Sequence, residues 1–328
     1  MKAWLLDNQT GLGALHLVED HPKPEAAAGE AVVKVTFAAL NPADYYLAQK
    51  QYPAKPTFPH ILGRDGVGVV ESVGEGTTGV QPGDAVTVLR GGTGVSRAGT
   101  LAEYVAVPAD ELVPRPTTWT EEESAGVALV YLTAYQALTQ WGPLEPGSTV
   151  LVTGGTGGVG IASIQLATAL GCRVVALSRS AEKGAKLTGL GAGLVLNPED
   201  PELVAKVKDF AGKGRVAVAV DSVAGKLFPL LVATLGERGS ISCVGRLAGP
   251  VPEFNTGTIF FRRNRIGGVS AGSYTAAEAR TTWAEILRLM EKTGARPLVD
   301  SVHPFAEVQA AFARLKEGPL GKVLVRVA

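Results

Sequence analysis

Residues 148–180 read STVLVTGGTGGVGIASIQLATALGCRVVALSRS, and the order of elements in this stretch decides the fold. The apolar, β-favouring run at its start predicts a buried strand. Glycines follow at positions 154, 155, 157, 158 and 160, and residues 161–170 then carry apolar side chains at helical spacing. Residues 173–177 form a second apolar run. The stretch therefore predicts a strand, a glycine-rich turn, a helix and a second strand.

Three of these glycines have the spacing G-x-G-x-x-G between the predicted strand and helix. The first permits a tight turn, the second lets backbone N–H groups approach a pyrophosphate, and the third lets the helix pack on the strand. The positive end of the helix dipole favours phosphate there. We therefore predict a dinucleotide site, with a plain glycine-rich turn as the alternative. Contacts are expected from Gly155, Thr156, Gly157, Gly158, Val159 and Gly160.

The end of the second predicted strand indicates which dinucleotide is bound. An NAD site usually carries Asp or Glu about 20 residues past the glycines, where the carboxylate holds the ribose 2′-hydroxyl. This chain instead has Ser178, Arg179 and Ser180, with Lys183 one turn later. An arginine fork and hydroxyls can bind a 2′-phosphate, which favours NADPH. The alternative is a solvated helix start with Ser180 as its N-cap.

Composition excludes several classes of partner. The 328 residues include 31 acidic and 31 basic side chains, so the net charge of zero gives no electrostatic reason to expect nucleic-acid or membrane binding. The N-terminal segment has no long apolar core or cleavage signal, and no apolar run reaches membrane-spanning length. We therefore expect a soluble, cytoplasmic protein.

The rest of the chain divides by its patterning. Residues 1–118 read as short strands interrupted by Gly and Pro, with a small helix near residues 43–49. One helix is predicted over residues 120–140, where Thr120 and Glu123 fit a capping box. Strands and helices then alternate over residues 148–270, which predicts a parallel, doubly wound α/β sheet.

Several motifs outside the glycine loop are more specific than the loop itself. They are Asn41-Pro42-Ala43-Asp44-Tyr45-Tyr46, Gly63-Arg64-Asp65-Gly66-Val67-Gly68, Gln81-Pro82-Gly83-Asp84, Gly99-Thr100-Leu101-Ala102-Glu103-Tyr104 and Leu132-Thr133-Ala134-Tyr135. With them the chain resembles the zinc-free quinone oxidoreductase branch of the medium-chain dehydrogenase/reductase superfamily.

The resemblance implies two domains. A GroES-like, β-rich catalytic domain would span residues 1–127 and be completed by residues 270–328. A Rossmann NADPH-binding domain would span residues 128–269. The family also implies an active-site cleft between the domains, and homodimers formed partly by sheet pairing near residues 258–268.

The chain departs from zinc-dependent relatives at the metal positions. Those relatives carry a cysteine where this chain has Asn41, a histidine where it has Arg64, and another cysteine about where Leu129 falls. Zinc needs about four N, S or O ligands at close range, and the scattered His and Cys residues of this chain do not supply them. We therefore predict that no metal is bound.

Five residues fall where the resembled branch lines its cleft, and they are the candidate catalytic residues Asn41, Asp44, Tyr46, Tyr52 and Arg64. Asn41 is expected either to hold an acceptor oxygen or to cap the following helix. Tyr52 is expected either to donate a proton or to pack in a loop. Asp44 is expected to orient its neighbours. Arg64 is expected to pair with Asp65 or Asp44 and fill the vacated metal space, as a structural more than a catalytic residue.

Further cofactor contacts are expected from the resemblance and from strand ends. Thr133 matches a family threonine near the nicotinamide, with back-bonding to its own helix as the alternative. Two segments follow predicted strands, where the backbone can reach a carboxamide, with simple tight turns as the alternative. They contribute Val244, Gly245, Arg246 and Ser270.

The predicted function is NADPH-dependent reduction of a quinone or conjugated enone without a metal, because these acceptors need only a nearby donor and a hydride carrier. Two alternatives are a non-enzymatic NADPH-binding protein and a zinc-type alcohol dehydrogenase. A serine hydrolase is a weaker alternative, since residues 268–272 match G-x-S-x-G but only Asp300 and His303 follow as acid and base.

Overall fold

The computed structural model describes residues 1–89, 91–251 and 253–328. In these ranges the first eight strands are β1 (Ala3–Leu6), β2 (Leu15–Val18), β3 (Glu30–Ala39), β4 (His60–Ile61), β5 (Asp65–Val73), β6 (Ala85–Val88), β7 (Tyr104–Pro108) and β8 (Leu112–Pro114). The later strands are β9 (Thr149–Val152), β10 (Arg173–Leu177), β11 (Leu194–Leu196), β12 (Val216–Asp221), β13 (Leu235–Cys243), β14 (Arg265–Gly268), β15 (Val299–Pro304) and β16 (Lys322–Arg326).

The helices of the same ranges are α1 (Pro42–Ala48), α2 (Glu121–Ala125), α3 (Ala128–Thr139), α4 (Gly158–Ala169), α5 (Ala181–Gly189), α6 (Leu203–Ala211), α7 (Phe228–Thr234), α8 (Gly257–Arg262), α9 (Ala276–Thr293) and α10 (Val308–Lys316). None of these helices is long and apolar enough to cross a membrane.

The chain divides into two compact units. The first, which we call the β-rich unit, contains Met1–Leu129, Gly272–Thr281 and Arg296–Ala328. The second, which we call the nucleotide unit, contains Val130–Ala271 and Thr282–Ala295.

A six-stranded sheet forms the centre of the nucleotide unit. Its strand order is β11-β10-β9-β12-β13-β14, and every neighbouring pair is parallel. The direction of winding reverses between β9 and β12, and such a reversal leaves a crevice at the carboxyl ends of the strands. The predicted parallel, doubly wound sheet is therefore confirmed.

The apolar strands of this sheet share one core. Leu151 of β9, Val175 of β10 and Ile241 of β13 are each at most 1% exposed and pack in a single cluster. Nine residues of α4 are buried as well, so this helix has almost no face exposed to solvent. Continuous apolar strands of this kind suit a parallel sheet, which is covered on both faces.

The β-rich unit contains a seven-stranded sheet and a three-stranded sheet. The larger has the order β15-β16-β3-β5-β6-β8, with β7 also pairing with β3, and the smaller has the order β2-β1-β4. β16 pairs antiparallel with β3, so the last strand of the chain lies beside an early one. This pairing brings Lys322, the first residue of β16, into the N-terminal part of the fold.

The single helix predicted over residues 120–140 is wrong, because the structure has α2 and α3 there with a break between them. The break lies at Gly126, where an added Cβ would come within 2.8 Å of Lys322 Cε. The predicted capping box at the start of α2 is confirmed. Thr120 N donates to Glu123 Oε2 at 2.8 Å, and Glu123 N donates to Thr120 Oγ1 at 3.1 Å.

Candidate functional site

The glycine loop joins β9 to α4 at the carboxyl edge of the parallel sheet. Gly154 has φ of 58°, in the left-handed region that favours glycine. A Cβ at Gly160 would lie 2.3 Å from the carbonyl oxygen of Gly154, so only glycine lets the first turn of α4 approach the loop so closely. A Cβ at Gly157 would meet only the Gly154 carbonyl, at 3.5 Å. The loop is therefore tight at its third motif glycine and open at its second.

The start of α4 presents backbone donors at this edge. Gly157 is the N-cap residue, and the first hydrogen bond of the helix runs from Ile161 N to Gly157 O at 2.9 Å. Gly158, Val159 and Gly160 form the first turn of the helix, before the residue that makes this bond. The N–H groups of a first turn have no acceptor within the helix. Such groups, with the helix dipole, suit a phosphate.

Asp221, which the sequence analysis missed, organises the neighbouring loop. It ends β12, is 1% exposed, and accepts hydrogen bonds at Oδ1 from Thr153 Oγ1 at 2.8 Å and from the backbone N–H groups of Val223 and Ala224 at 3.0 Å each. Ala224 has φ of 57°, an unusual conformation for a residue with a side chain. The sequence signal that could have identified Asp221 was its position, as a carboxylate at the end of a buried strand.

The predicted segments after β13 and β14 lie at the same edge. Val244 N donates to the carbonyl of Asp221 at 2.8 Å, and a Cβ at Gly245 would lie 2.9 Å from the carbonyl of Ser222. Arg246 follows and is exposed. Ser270 N donates to Gln136 Oε1 at 3.0 Å. The glycine loop and both predicted segments thus lie together at the ends of β9, β12, β13 and β14, because the carboxyl ends of parallel strands share one edge of the sheet.

The residues predicted to select NADPH follow β10. Ser178 Oγ donates to the carbonyl of Ser180 at 2.8 Å and accepts from Ser180 N at 3.2 Å, while Ser180 Oγ accepts from Lys183 N at 3.2 Å. Ser180 is therefore the N-cap of α5, which was the alternative interpretation. Arg179 is exposed beside this cap, so its guanidinium is accessible to a ligand.

Thr133, the threonine expected near the nicotinamide, lies half-buried on α3.

A buried polar cluster in the β-rich unit includes one predicted residue and two that were not predicted. We call Asn41, Asp65 and Lys322 the lysine cluster. Lys322 Nζ donates to Asn41 Oδ1 at 2.7 Å and to Asp65 Oδ2 at 3.2 Å, and Asn41 Nδ2 donates to Asp65 Oδ2 at 2.9 Å. Leu129 N donates to the other carboxylate oxygen of Asp65 at 3.1 Å. Lys322 is 281 positions from Asn41, which explains why local sequence patterns did not reveal it.

Asp44 lies in the first turn of α1, beside this cluster. It is fully buried, and its Oδ2 accepts from Asn41 N at 2.8 Å, which anchors the helix start. Its Oδ1 is buried and has no hydrogen-bond partner in the described chain. Burial raises the pKa of Asp44 to about 6, although the positive charges of Arg64 and Lys322 act in the opposite direction.

Tyr52 and Arg64 form the second polar pair of the β-rich unit. Arg64 Nη1 donates to the Tyr52 hydroxyl at 2.9 Å, and the guanidinium carbon lies 5.3 Å from the ring centroid. Because Tyr52 accepts this bond through its oxygen, its own hydroxyl hydrogen can be donated elsewhere. Tyr46 is half-buried on α1, with its ring 6.1 Å from that of Tyr45.

The residues needed for a serine hydrolase are engaged in other contacts. Asp300 forms a bidentate pair with Arg314, at 2.7 and 2.8 Å. His303 Nε2 lies 3.2 Å from Ser301 Oγ. Neither contact is that of an acid holding a catalytic histidine, so the structure does not support this alternative.

Two models of known protein families match this chain. Residues 27–117 match the family model described as "Alcohol dehydrogenase GroES-like domain", and residues 158–311 match "Zinc-binding dehydrogenase". The quinone oxidoreductase of Rattus norvegicus is 30% identical over 319 residues, which cover 96% of this chain and 94% of that protein.

Two solved structures are also similar. One, described as an NAD-dependent alcohol dehydrogenase, has a TM-score of 0.91 at 29% identity and covers 100% of both chains. Another, a mycobacterial protein complexed with NADPH, has a TM-score of 0.89 at 30% identity and covers 99% of both chains. The chain belongs to the medium-chain dehydrogenase/reductase superfamily, in its quinone oxidoreductase branch.

The zinc named by one family model does not fit the residues present. Asn41 Oδ1 and Asp65 Oδ2 both accept hydrogen bonds from the Lys322 ammonium group, which would repel a second cation. Arg64 carries a further positive charge, and Leu129 offers no donor atom in its side chain. Within the described ranges, no group of three or more His, Cys, Asp or Glu side chains is placed to hold a metal ion.

The buried carboxyl of Asp44 predicts a pH-dependent change in stability. In the unfolded chain an aspartic acid ionises near pH 3.8, whereas the folded protein holds this proton to about pH 6. Ionisation therefore destabilises the folded protein as pH rises through this window, by roughly 3 kcal/mol in total. An Asp44→Asn variant lacks this penalty, so its free energy of unfolding relative to the wild type should increase by roughly 2 kcal/mol between pH 4 and pH 7.

Urea unfolding at four pH values in this range measures the difference. An Asp20→Asn variant, changed at an exposed carboxylate, is the matched control and should differ from the wild type by a nearly constant amount. A constant difference for Asp44→Asn as well would contradict the assignment.

Proposed function

We propose that the chain binds NADPH at the carboxyl edge of its parallel sheet. The observation that carries this proposal is the glycine loop, where Gly160 packs against Gly154 and the start of α4 offers its backbone donors. The mycobacterial relative complexed with NADPH supports it. Arg179 supplies a cation and no carboxylate stands in its place, which favours the phosphorylated nucleotide over NADH.

The proposed reaction is the reduction of a quinone or a conjugated enone. When bound, NADPH supplies a hydride, and the product also needs one proton from the protein or from water. The name of the rat relative supports a quinone as acceptor. Both acceptor classes develop negative charge on oxygen during hydride addition, and a hydrogen-bond donor or a positive charge near that oxygen lowers the barrier.

We assign the donor role to the pair of Tyr52 and Arg64. The guanidinium donates to the phenol oxygen and can stabilise a phenolate if the proton is transferred, which makes the hydroxyl a suitable donor to an acceptor oxygen. Asn41 is a second candidate contact with the acceptor, through the second hydrogen of its carboxamide nitrogen, with Asp44 and Tyr46 on the helix that follows it. These roles require no metal, and the two oxygens that could ligate one, Asn41 Oδ1 and Asp65 Oδ2, already accept hydrogen bonds.

The direct test follows NADPH absorbance against a panel of quinones, enals, enones and simple alcohols, after dialysis against a chelator. We expect oxidation of NADPH by quinones or enones at an undiminished rate. Binding of NADPH without turnover would instead favour the non-enzymatic binding protein. Oxidation of an alcohol with NAD that depends on added zinc would favour the activity named for the similar alcohol dehydrogenase structure.

Reversing the charge of Arg179 tests the choice of nucleotide. In an Arg179→Glu variant the carboxylate repels a 2′-phosphate, and the loss of a charge-assisted contact should raise KM for NADPH by about 10- to 100-fold. KM for NADH should change by less than about threefold, since NADH has no charge at this position.

The matched control is Lys186→Glu, which makes the same charge change at an exposed position of α5, about two turns further along the chain. It should leave the ratio of the two KM values near that of the wild type. An equal loss for NADPH and NADH in Arg179→Glu would reject the phosphate assignment.

We also propose that two copies of the chain pair through α8 and β14. β14 is an edge strand of the six-stranded sheet, and an edge strand has backbone groups available for pairing with another chain. On the helix just before it, Phe260 and Phe261 are 75% and 82% exposed, with their rings 4.9 Å apart. Adjacent exposed aromatic side chains of this kind are typical of a contact surface.

Replacing both phenylalanines tests this pairing. The wild type should elute in light-scattering chromatography at about twice the 33.9 kDa chain mass, and a Phe260→Glu/Phe261→Glu variant at the mass of one chain. The control is Val302→Glu, at an exposed apolar position on β15, the edge strand of the seven-stranded sheet. This variant should remain a dimer. A wild type of one chain mass, or a dimeric double variant, would contradict the proposal.

A further inference from the structure

Lys322 is a buried lysine that the proposed reaction does not yet use. Its residue is 7% exposed, and the first position of β16 places it in the β-rich unit. Burying an ammonium group is costly unless it is paired and hydrogen-bonded, and its bonds to Asn41 and Asp65 provide both. Buried positions in natural proteins more often hold an apolar residue than a lysine. We therefore expect the Lys322 ammonium group to have a function.

The lysine cluster determines which way the Asn41 carboxamide points. An ammonium group can only donate hydrogen bonds, and an ionised carboxylate can only accept them. The Asn41 oxygen must therefore face Lys322, and its nitrogen must face Asp65. The two orientations of an amide are otherwise nearly equal in shape, so the charges at both ends select one of them.

The same cluster joins the two segments that carry the candidate catalytic residues. Asn41 precedes α1, which bears Asp44 and Tyr46. Asp65 directly follows Arg64, whose guanidinium holds Tyr52. A shift in either segment would move a candidate group, and small displacements of catalytic groups have large effects on rate.

We propose that Lys322 is a positioning residue, which fixes the orientation of the Asn41 carboxamide and holds the segment of Asn41 against the segment of Asp65. The proposal rests on the proposed function in one respect, because its kinetic consequence is expected in the reduction of the acceptor. Its structural consequence stands apart from that reaction.

Gly126 provides independent support for this position of Lys322. A Cβ there would come within 2.8 Å of Lys322 Cε and 2.9 Å of Lys322 Cγ, so the side chain of the lysine runs directly over the glycine. The backbone of Gly126 has φ of −113°, outside the left-handed region that requires glycine, so its conformation is open to alanine. A Gly126→Ala variant therefore displaces the lysine while keeping every charge in the cluster.

The first variant is Lys322→Met, which removes the charge and keeps the length of the side chain. Asp65 then becomes a buried carboxylate without its cation, so Tm should fall by roughly 5–10 °C. We expect kcat to fall by about 10- to 100-fold. KM for NADPH should change by less than about threefold, because the proposed nucleotide contacts belong to the other unit.

Lys23→Met is the matched control, since it also removes a lysine that pairs with a carboxylate, that of Glu71, but at an exposed site. Surface pairs contribute little to stability, so Tm should stay within about 2 °C of the wild type and kcat within about twofold. If Lys322→Met behaved like this control, the proposal would be wrong.

A double variant separates positioning from general stabilisation. In Lys322→Met/Asp65→Asn both charges of the lysine cluster are removed together, and the new amide can still accept from Leu129 N. It can also donate to the Asn41 oxygen once the Asn41 carboxamide has rotated by half a turn. We expect most of the lost Tm to return while kcat stays low, because the donor and acceptor ends of Asn41 are exchanged.

Recovery of both Tm and kcat in the double variant would show that the cluster serves stability alone, and would overturn the proposal. Gly126→Ala should lower kcat by about 10-fold, and a wild-type kcat in this variant would also count against positioning by Lys322.

One measurement is independent of any activity. Buried, hydrogen-bonded ammonium groups exchange slowly with water, so the Lys322 ammonium should give a nitrogen–proton NMR signal at neutral pH that vanishes in Lys322→Met. The signal should shift in Asn41→Ala. If the wild type reduced no acceptor, the proposed function would fail, and this signal alone would decide the placement of Lys322. Absence of the signal in the wild type, or an unshifted signal in Asn41→Ala, would refute the placement of Lys322 against Asn41 and with it the positioning role.

Discussion

The fit between Gly160 and the carbonyl of Gly154 is the constraint on which the nucleotide unit depends. At 2.3 Å from a Cβ position, that carbonyl excludes every other residue from position 160 unless the loop moves. The close approach lets α4 start directly after β9 and brings its first turn to the carboxyl edge of the sheet. The ends of the neighbouring strands reach the same edge, because all of these strands are parallel.

The two units satisfy their buried polar groups in different ways. In the nucleotide unit, Asp221 accepts hydrogen bonds from backbone N–H groups and a hydroxyl, and so shapes a loop without any cation. In the β-rich unit, Asp65 has both a cation and an amide as donors. The second arrangement places a positive charge beside the residue that replaces a metal ligand of zinc-dependent relatives. Membership of a family described as zinc-binding is therefore compatible with a donor set that does not suit zinc.

The sequence predicted the elements that local patterns specify. β10 spans Arg173–Leu177, as its apolar run predicted, and the capping box at Thr120 is present. The helix break at Gly126 was missed, although a glycine within a helical pattern is itself a local signal of a helix end. Lys322 was missed because its partners are distant in sequence and nothing near residue 322 distinguishes it from a surface lysine at the start of a strand. Asn41 was a candidate from the resemblance, but its contact with Lys322 depends on the pairing of β16 with β3, and its contact with Asp65 on the pairing of β3 with β5.

The most direct test of the central claim, hydride transfer from NADPH without a metal, is an isotope transfer measurement. Protein freed of metal by a chelator is incubated with an enone and NADPH that carries deuterium at the transferring position of C4, and the product is analysed by mass spectrometry. The account predicts one deuterium bound to carbon in the product, formed at the rate of untreated protein. A product without deuterium, or a reaction that stops on chelation and returns with added zinc, would contradict it.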